Sequence, residues 1–131
     1  MTSFEGDVAV AVALKRRTHK VHALRGKGIR LWFGLTQDEF ARVLGVSRAT
    51  VIRWEDANSG PASTSAAGRV LTILAETQRL AGRTFHRPEN AQRWLRVKVP
   101  ALHATPIETF ITRGPLPVRD VLREGLDVVM S

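Results

Sequence analysis

The 131-residue chain contains no cysteine, which excludes disulfide bonds and metal sites built on thiolates. Long hydrophobic runs are absent as well. The most apolar stretch, residues 8–14 (VAVAVAL), is far shorter than the roughly 20 residues that cross a bilayer as a helix. It follows Glu5 and Asp7, whereas a signal peptide would begin with basic residues. We therefore predict a cytoplasmic protein that does not enter a membrane.

Acidic residues are few relative to basic ones, 12 Asp and Glu against 20 Lys and Arg, which gives a formal net charge of +8. A surplus of this size suggests a polyanionic partner, although charge alone does not identify one. Residues 15–30 concentrate the surplus, with seven Lys or Arg and no acid. That segment is either an arm that follows a phosphate backbone or an ordinary solvated surface, and the sequence leaves both alternatives open.

Clustered catalytic side chains are also missing. The sequence shows no Ser/His/Asp set, no carboxylate pair and no phosphate-binding loop. His19 and His22 lack nearby Cys or carboxylate partners, and His86 and His103 are isolated. We therefore predict that the protein is not an enzyme and that it holds neither a metal nor a cofactor.

The most informative stretch is residues 36–56, TQDEFARVLGVSRATVIRWED. Phe40 and Leu44 share one face of a first helix, and Val51 and Trp54 share one face of a second, because a helix repeats every 3.6 residues. Gly45 lies between them, where a tight turn with positive φ would be needed. This spacing predicts two short helices joined by a sharp turn.

Both helices carry start signals. Thr36 followed by Glu39 is a capping box, in which each side chain satisfies an unpaired backbone N–H of the first turn. Ser47 is placed to cap the second helix, with Arg48 as its first residue. Several independent patterns therefore indicate a helix-turn-helix in one 21-residue window.

A helix-turn-helix of this kind reads DNA with the N-terminal part of its second helix. Val51 and Trp54 point inward, so the opposite face carries the candidate DNA contacts, which are Ser47, Arg48, Ala49, Thr50 and Arg53. An arginine can pair with guanine through two hydrogen bonds, and Ala49 could touch a thymine methyl group. Gln37, at the start of the first helix, is placed for a phosphate contact. The alternative is that Arg48 and Arg53 are only solvated charges.

This window resembles the Xre or Cro/repressor family of helix-turn-helix proteins. The residues that carry the resemblance are Gly34-Leu35-Thr36-Gln37, Phe40-Ala41, Leu44-Gly45-Val46-Ser47, Trp54-Glu55 and Pro61. The resemblance implies that Gln37, Arg48, Ala49 and Arg53 contact DNA. It also implies a dimer on a near-palindromic operator.

The rest of the chain predicts further helices, and the fold class is therefore all-α. A helix is expected over residues 61–81, capped by Ser63 or Thr64 and closed by Gly82. Residues 88–95 predict a short helix with proline in its first turn. Thr105 and Glu108 form a second capping box, from which a helix runs to about Thr112, and a last helix is expected around residues 118–126.

This second half resembles the C-terminal toxin-binding domain of Xre/MbcA/ParS-type antitoxins. The matching residues are Ala91, Trp94-Leu95, Val99-Pro100-Ala101-Leu102, Thr105-Pro106, Thr112, Gly114, Val118 and Leu122. The resemblance implies a RES-domain toxin partner that degrades NAD, held inactive by the antitoxin in a hetero-oligomeric complex. The candidate toxin contacts are Trp94, Leu102, Arg119, Arg123 and Leu126. The early Gly125 departs from the family pattern at the C-terminal end.

Together these patterns divide the chain into four segments: a basic N-terminal arm at residues 1–24, a helix-turn-helix unit at 25–62, a connecting helix at 63–82 and a toxin-binding domain at 83–131. The predicted function is that of an antitoxin which also represses its own operon. The alternative is a stand-alone repressor whose C-terminal domain dimerises or senses a ligand.

Overall fold

The computed structural model describes residues 23–130, with side chains as far as residue 126. Residues 15–22 of the basic segment 15–30 lie outside this range, as does most of the predicted N-terminal arm at residues 1–24. Between residues 23 and 130 the chain forms α-helices and one 3-10 turn without any β-strand, which confirms the all-α prediction. The helices are α1 (Lys27–Phe33), α2 (Gln37–Leu44), α3 (Arg48–Asp56), α4 (Ala66–Phe85), α5 (Pro88–Leu95), α6 (Pro106–Arg113) and α7 (Leu116–Met130), with the 3-10 turn at Pro100–Leu102. None of these helices has the length and apolar character of a membrane span.

The two helices of the helix-turn-helix, α2 and α3, begin where their predicted capping residues place them. The Thr36 hydroxyl accepts a hydrogen bond from the Glu39 N–H at 3.0 Å, and the Glu39 carboxylate accepts one from the Thr36 N–H at 2.9 Å. Ser47 Oγ accepts the Thr50 N–H at 3.1 Å at the start of α3. Gly45 ends α2 with a φ of 71°, a left-handed conformation that glycine adopts without steric cost.

One continuous core joins the two halves of the chain. It extends from Phe33 to Leu122, and α4 lies at its centre in contact with α1, α2, α5 and α7. Phe33 of α1 packs edge-on against Phe110 of α6, with ring centroids 5.5 Å apart. The helix-turn-helix region and the C-terminal helices therefore support each other directly.

The predicted bounds of the connecting helix were wrong. The helix begins at Ala66, because Ser65 rather than Ser63 or Thr64 is its cap and accepts the Gly68 N–H at 3.0 Å. The preceding residues are held by a tertiary contact instead, in which the Leu24 N–H donates to the Pro61 carbonyl at 2.9 Å. At the other end Gly82 lies inside the helix, which continues to Phe85.

The helical spacing of Val70, Ile73, Leu74 and Leu80 predicts a buried stripe on this helix, and this prediction is only partly confirmed. Leu74 is fully buried, but Val70, Ile73 and Leu80 are only partly buried. The inward face is formed by small and aliphatic residues at the same helical spacing, namely Ala67, Leu71, Leu74, Thr77 and Ala81. On the outer side of the helix, where the sequence pattern predicts solvated charges, Glu76 forms ion pairs with the last helix.

The spacing of Leu24, Leu31 and Trp32 predicts a helix that ends before Gly34. Helix α1 does end there, but it is shorter than this spacing suggests. Leu24 precedes α1, because its backbone is bonded to the Pro61 loop, and Leu31 is 54% exposed. The contact with the core is made by Phe33, which is 2% exposed.

Candidate nucleic-acid interface

The second helix of the helix-turn-helix, α3, packs against the core on one side and is exposed to solvent on the other. Val51 is 1% exposed and Trp54 packs partly buried against the core. Ser47, Arg48, Ala49 and Arg53 are exposed on the other side, and Thr50 is half-buried. The candidate DNA contacts predicted on α3 therefore lie on one side of the helix, away from the core.

The two arginines of this face make no side-chain contact with a carboxylate or hydrogen-bond partner in the described part of the chain. Among residues 23–126, neither Arg48 nor Arg53 has a carboxylate within 4.0 Å or a side-chain hydrogen bond. Ser47 and Thr50 are engaged with each other, since their hydroxyl oxygens are 2.9 Å apart beside the cap bond. The arginines are thus available to an external acceptor, and Ser47 acts first as the helix cap.

Gln37, the predicted phosphate contact, is held at the first turn of α2. Its amide Nε2 donates to Glu55 Oε1 at 3.0 Å. Arg30 also donates to Glu55, from Nε at 2.7 Å and from Nη2 at 2.9 Å, and its Nη1 donates to the Leu35 carbonyl at 3.0 Å. One carboxylate therefore ties α1 and α2 to α3.

The surroundings of the Glu55 carboxylate lower its pKa and so favour its charged form. Burial alone would raise the pKa of Glu55, but hydrogen bonds from Arg30 and Gln37 and the positive charges of Arg30 and Lys27 outweigh it, so the pKa lies below its usual value. The sequence favours a local salt bridge for Glu55 over a catalytic role; Glu55 does form a salt bridge, but with the distant Arg30 rather than with a local partner. Arg30 was missed as its partner, because a residue 25 positions away leaves no local signal.

A second ion pair joins the C-terminal half to the first turn of α2. Arg96 donates to both carboxylate oxygens of Glu39 at 3.0 Å, and to the Gly34 carbonyl at 3.2 Å. The hydrogen bond from Arg96 lowers the pKa of Glu39 below its usual value, aided by the Thr36 N–H and opposed by partial burial. Neither residue was predicted to take part in a long-range contact.

The five candidate toxin contacts do not form one exposed patch. Trp94 is half-buried against Phe85, with ring centroids 5.2 Å apart. Leu102 is 3% exposed and belongs to the core, so its side chain faces the protein interior. Arg119 and Arg123 come together on α7, where both pair with Glu76 of α4.

Arg119 also pairs with Asp120 at 3.0 Å. The side chain of Arg119 is 21% exposed and that of Arg123 is 48% exposed. Leu126 is half-buried on the same helix. Of the five residues, Arg123 therefore offers the most accessible side chain.

Comparison with known proteins agrees with this geometry. Residues 27–66 match a family model described as a helix-turn-helix. The matched residues extend from α1 through α2 and α3 to the first residue of α4. No curated protein matches the sequence. The chain thus carries a DNA-binding helix-turn-helix in its first half, and the match does not extend to the C-terminal helices.

Proposed function

We propose that this protein is a sequence-specific DNA-binding regulator that reads the major groove with α3. The observation that carries the proposal is the outer face of α3, where Arg48 and Arg53 are exposed opposite the buried Val51 and have no carboxylate partner among residues 23–126. In a helix-turn-helix the N-terminal residues of the second helix reach the base edges. Bidentate pairing of either arginine with guanine would supply sequence discrimination, and Ala49 between them fits a thymine methyl group.

Gln37 has a role beside this face. A primary amide carries two N–H hydrogens, and only one of the hydrogens on Nε2 is used by Glu55. The other is free to donate to a phosphate oxygen at the first turn of α2. Such a contact would set the register of α3 on the duplex without reading the sequence.

The test is selection from a library of random duplexes by the full chain, followed by fluorescence anisotropy titration of the enriched duplex and a scrambled duplex. We expect the enriched duplex to bind at least about 1,000-fold more tightly than the scrambled one at physiological salt. Enrichment of no sequence, or equal affinity for both duplexes, would refute a sequence-specific regulator.

We also propose that the C-terminal half, residues 83–131, neutralises a RES-type toxin, which would make the protein an antitoxin that represses its own operon. This proposal rests on the sequence resemblance from Ala91 to Leu122. The accessible surface it requires would come from Trp94, Arg119, Arg123 and Leu126, since Leu102 is buried. The alternative is a stand-alone repressor with a C-terminal dimerisation or ligand-sensing domain.

Co-expression separates these two functions. We expect the product of the adjacent gene to arrest growth alone, to be harmless beside this protein and to co-purify with it. If the neighbour is not toxic, or stays toxic in the presence of this protein, the antitoxin proposal fails and the repressor alternative stands. Light scattering of the purified chain tests the proposed homodimer in either case.

A further inference from the structure

Helix α5 is fastened to the corner between α1 and α2 by two side chains. Arg96, directly after α5, holds the Glu39 carboxylate with two hydrogen bonds of 3.0 Å and the Gly34 carbonyl with a third of 3.2 Å. One turn earlier, Gln92 Nε2 donates to the Trp32 carbonyl at 3.0 Å. The C-terminal half is therefore hydrogen-bonded to both the last turn of α1 and the first turn of α2.

Glu39 is more than an ion-pair partner, because it also completes the capping box of α2. Its Oε1 accepts the Thr36 N–H at 2.9 Å, on the same oxygen that receives Arg96 Nη2. Gln37, which follows Thr36 in the chain, donates to Glu55 of α3. Two separate polar contacts therefore meet at the first turn of α2: Arg96 holds Glu39 of this turn, and Gln37 of the same turn is bonded to the helix that presents the DNA-reading face.

We propose that Arg96 is a positioning residue for DNA binding, acting through Glu39. The inference rests on the proposed function, since it concerns how the C-terminal half orients α2 and α3 on a duplex. A bidentate arginine–carboxylate pair fixes orientation as well as distance. It holds the turn that carries Gln37, and hence the predicted phosphate contact, in register with Arg48 and Arg53.

The pair is placed to orient the helices more than to stabilise the fold. Its side chains are 49% and 22% exposed, and exposed ion pairs contribute little to folding free energy. The buried contacts that hold α5 in place, Ala91 and Leu95 at 0% and 1% exposure, do not involve Arg96. Loss of the guanidinium should therefore leave the protein folded while loosening the first turn of α2.

The experiment measures affinity for the duplex that the wild-type chain selects, at several salt concentrations, for Arg96→Gln, Glu39→Gln and the double variant. We expect each single variant to bind about fivefold more weakly and the double variant no more weakly than either single one, because both remove one interaction. The matched control is Arg93→Gln, in the last turn of α5. Its guanidinium donates to Asn90 of that helix at 2.7 Å, and it should bind within twofold of wild type.

The salt dependence separates positioning from direct contact. A lost phosphate contact lowers the slope of log K against log salt by about 0.9, whereas a positioning residue leaves the slope unchanged. Wild-type affinity in Arg96→Gln, additive losses in the double variant, or a slope lower by about one unit would each overturn the inference. Thermal unfolding followed by circular dichroism confirms that each variant is folded at the assay temperature.

If Arg96→Gln is unfolded, Arg96→Lys provides the same test, because it keeps the charge but only one of the two bonds to Glu39. We expect its loss of affinity to be about half as large on a logarithmic scale, and an unchanged affinity overturns the inference. Failure of the wild-type chain to select any duplex would refute the proposed function and this inference together. A selected duplex that Arg96→Gln binds normally would refute only the inference.

Discussion

Arg30 and Glu55 form the most buried ion pair in the described part of the chain, with side chains 12% and 8% exposed. Arg30→Ala would leave a buried carboxylate with only Gln37 as a donor. We expect the free energy of unfolding to fall by about 3 kcal/mol, measured by urea denaturation. The control is Arg42→Ala, which removes an exposed i,i+4 pair with Asp38 and should cost at most about 0.5 kcal/mol. A loss below about 1 kcal/mol for Arg30→Ala would contradict this assignment.

The two exposed arginines of α3 allow a second test at the scale of single residues. Arg48→Ala and Arg53→Ala should each reduce discrimination between the selected and scrambled duplexes by about 1–3 kcal/mol if the arginine reads a guanine. Arg123→Ala, which removes an equally charged side chain from α7, should leave DNA affinity unchanged. Wild-type discrimination in both α3 variants would show that a different face reads the DNA.

At the scale of helices, two glycines in contrasting conformations should respond in opposite ways to alanine. Gly45 ends α2 with a φ of 71°, where an added Cβ meets no neighbour but the backbone conformation disfavours it. Gly125 lies inside α7 with open space around it and no positive φ. Gly45→Ala should lower the free energy of unfolding by about 1 kcal/mol, and Gly125→Ala should raise it by about 0.5–1 kcal/mol.

Urea titrations of the two glycine variants beside wild type provide the measurement. If the free energy of unfolding changed in the same direction in both variants, helix propensity and turn conformation would not explain the effects of these substitutions. The opposed signs also test the sequence argument directly, since Gly45 was assigned to a turn from its position between two apolar faces.

Local signals predicted helices well, and tertiary contacts account for the errors. The starts of α2, α3, α5 and α6 agree with their caps or prolines, because those interactions span three or four residues. The start of α4 was wrong, because the choice between Ser63, Thr64 and Ser65 depends on how Leu24 holds the Pro61 loop. The spacing of apolar residues along the chain carries no information about such a tertiary contact.

The same limit applies to the candidate site. The outward face of α3 follows from two inward residues, Val51 and Trp54, and four of the five residues predicted on it are exposed, whereas Thr50 is half-buried. The ion pairs that support it join residues 25 and 57 positions apart, Arg30 with Glu55 and Arg96 with Glu39. Because any exposed arginine could have paired with either acid, only the packing of the helices selects the partners.

For the whole molecule, the continuous core has a consequence for the proposed function. Phe33 and Phe110 contact each other across the two halves, and Arg96 spans the same junction at the surface. A partner that displaced the C-terminal helices would therefore disturb the contacts that hold α1 and α2 in place. Binding of a protein partner and binding of DNA are consequently expected to influence each other through the junction rather than through a flexible linker.

Acid should weaken the contacts around α2 through two carboxylates, Glu39 at the junction and Glu55 between α1, α2 and α3. The pKa values of both lie below the usual value of 4.5. In the unfolded chain their pKa values return toward that value, so as pH falls the unfolded state takes up protons first. Stability contributed by the two groups is therefore complete well above pH 4.5 and is lost progressively as pH falls through their lowered pKa values.

We expect the free energy of unfolding from urea titrations to decrease between about pH 5 and pH 3, with Glu39→Gln and Glu55→Gln each lowering stability at neutral pH. The double variant should show a shallower decrease over the same range, since it no longer has these two groups to protonate. Equal slopes for wild type and the double variant would mean that acid acts elsewhere in the protein. A shallower slope in Glu39→Gln alone would assign part of the acid sensitivity to the contact that joins the C-terminal half to α2.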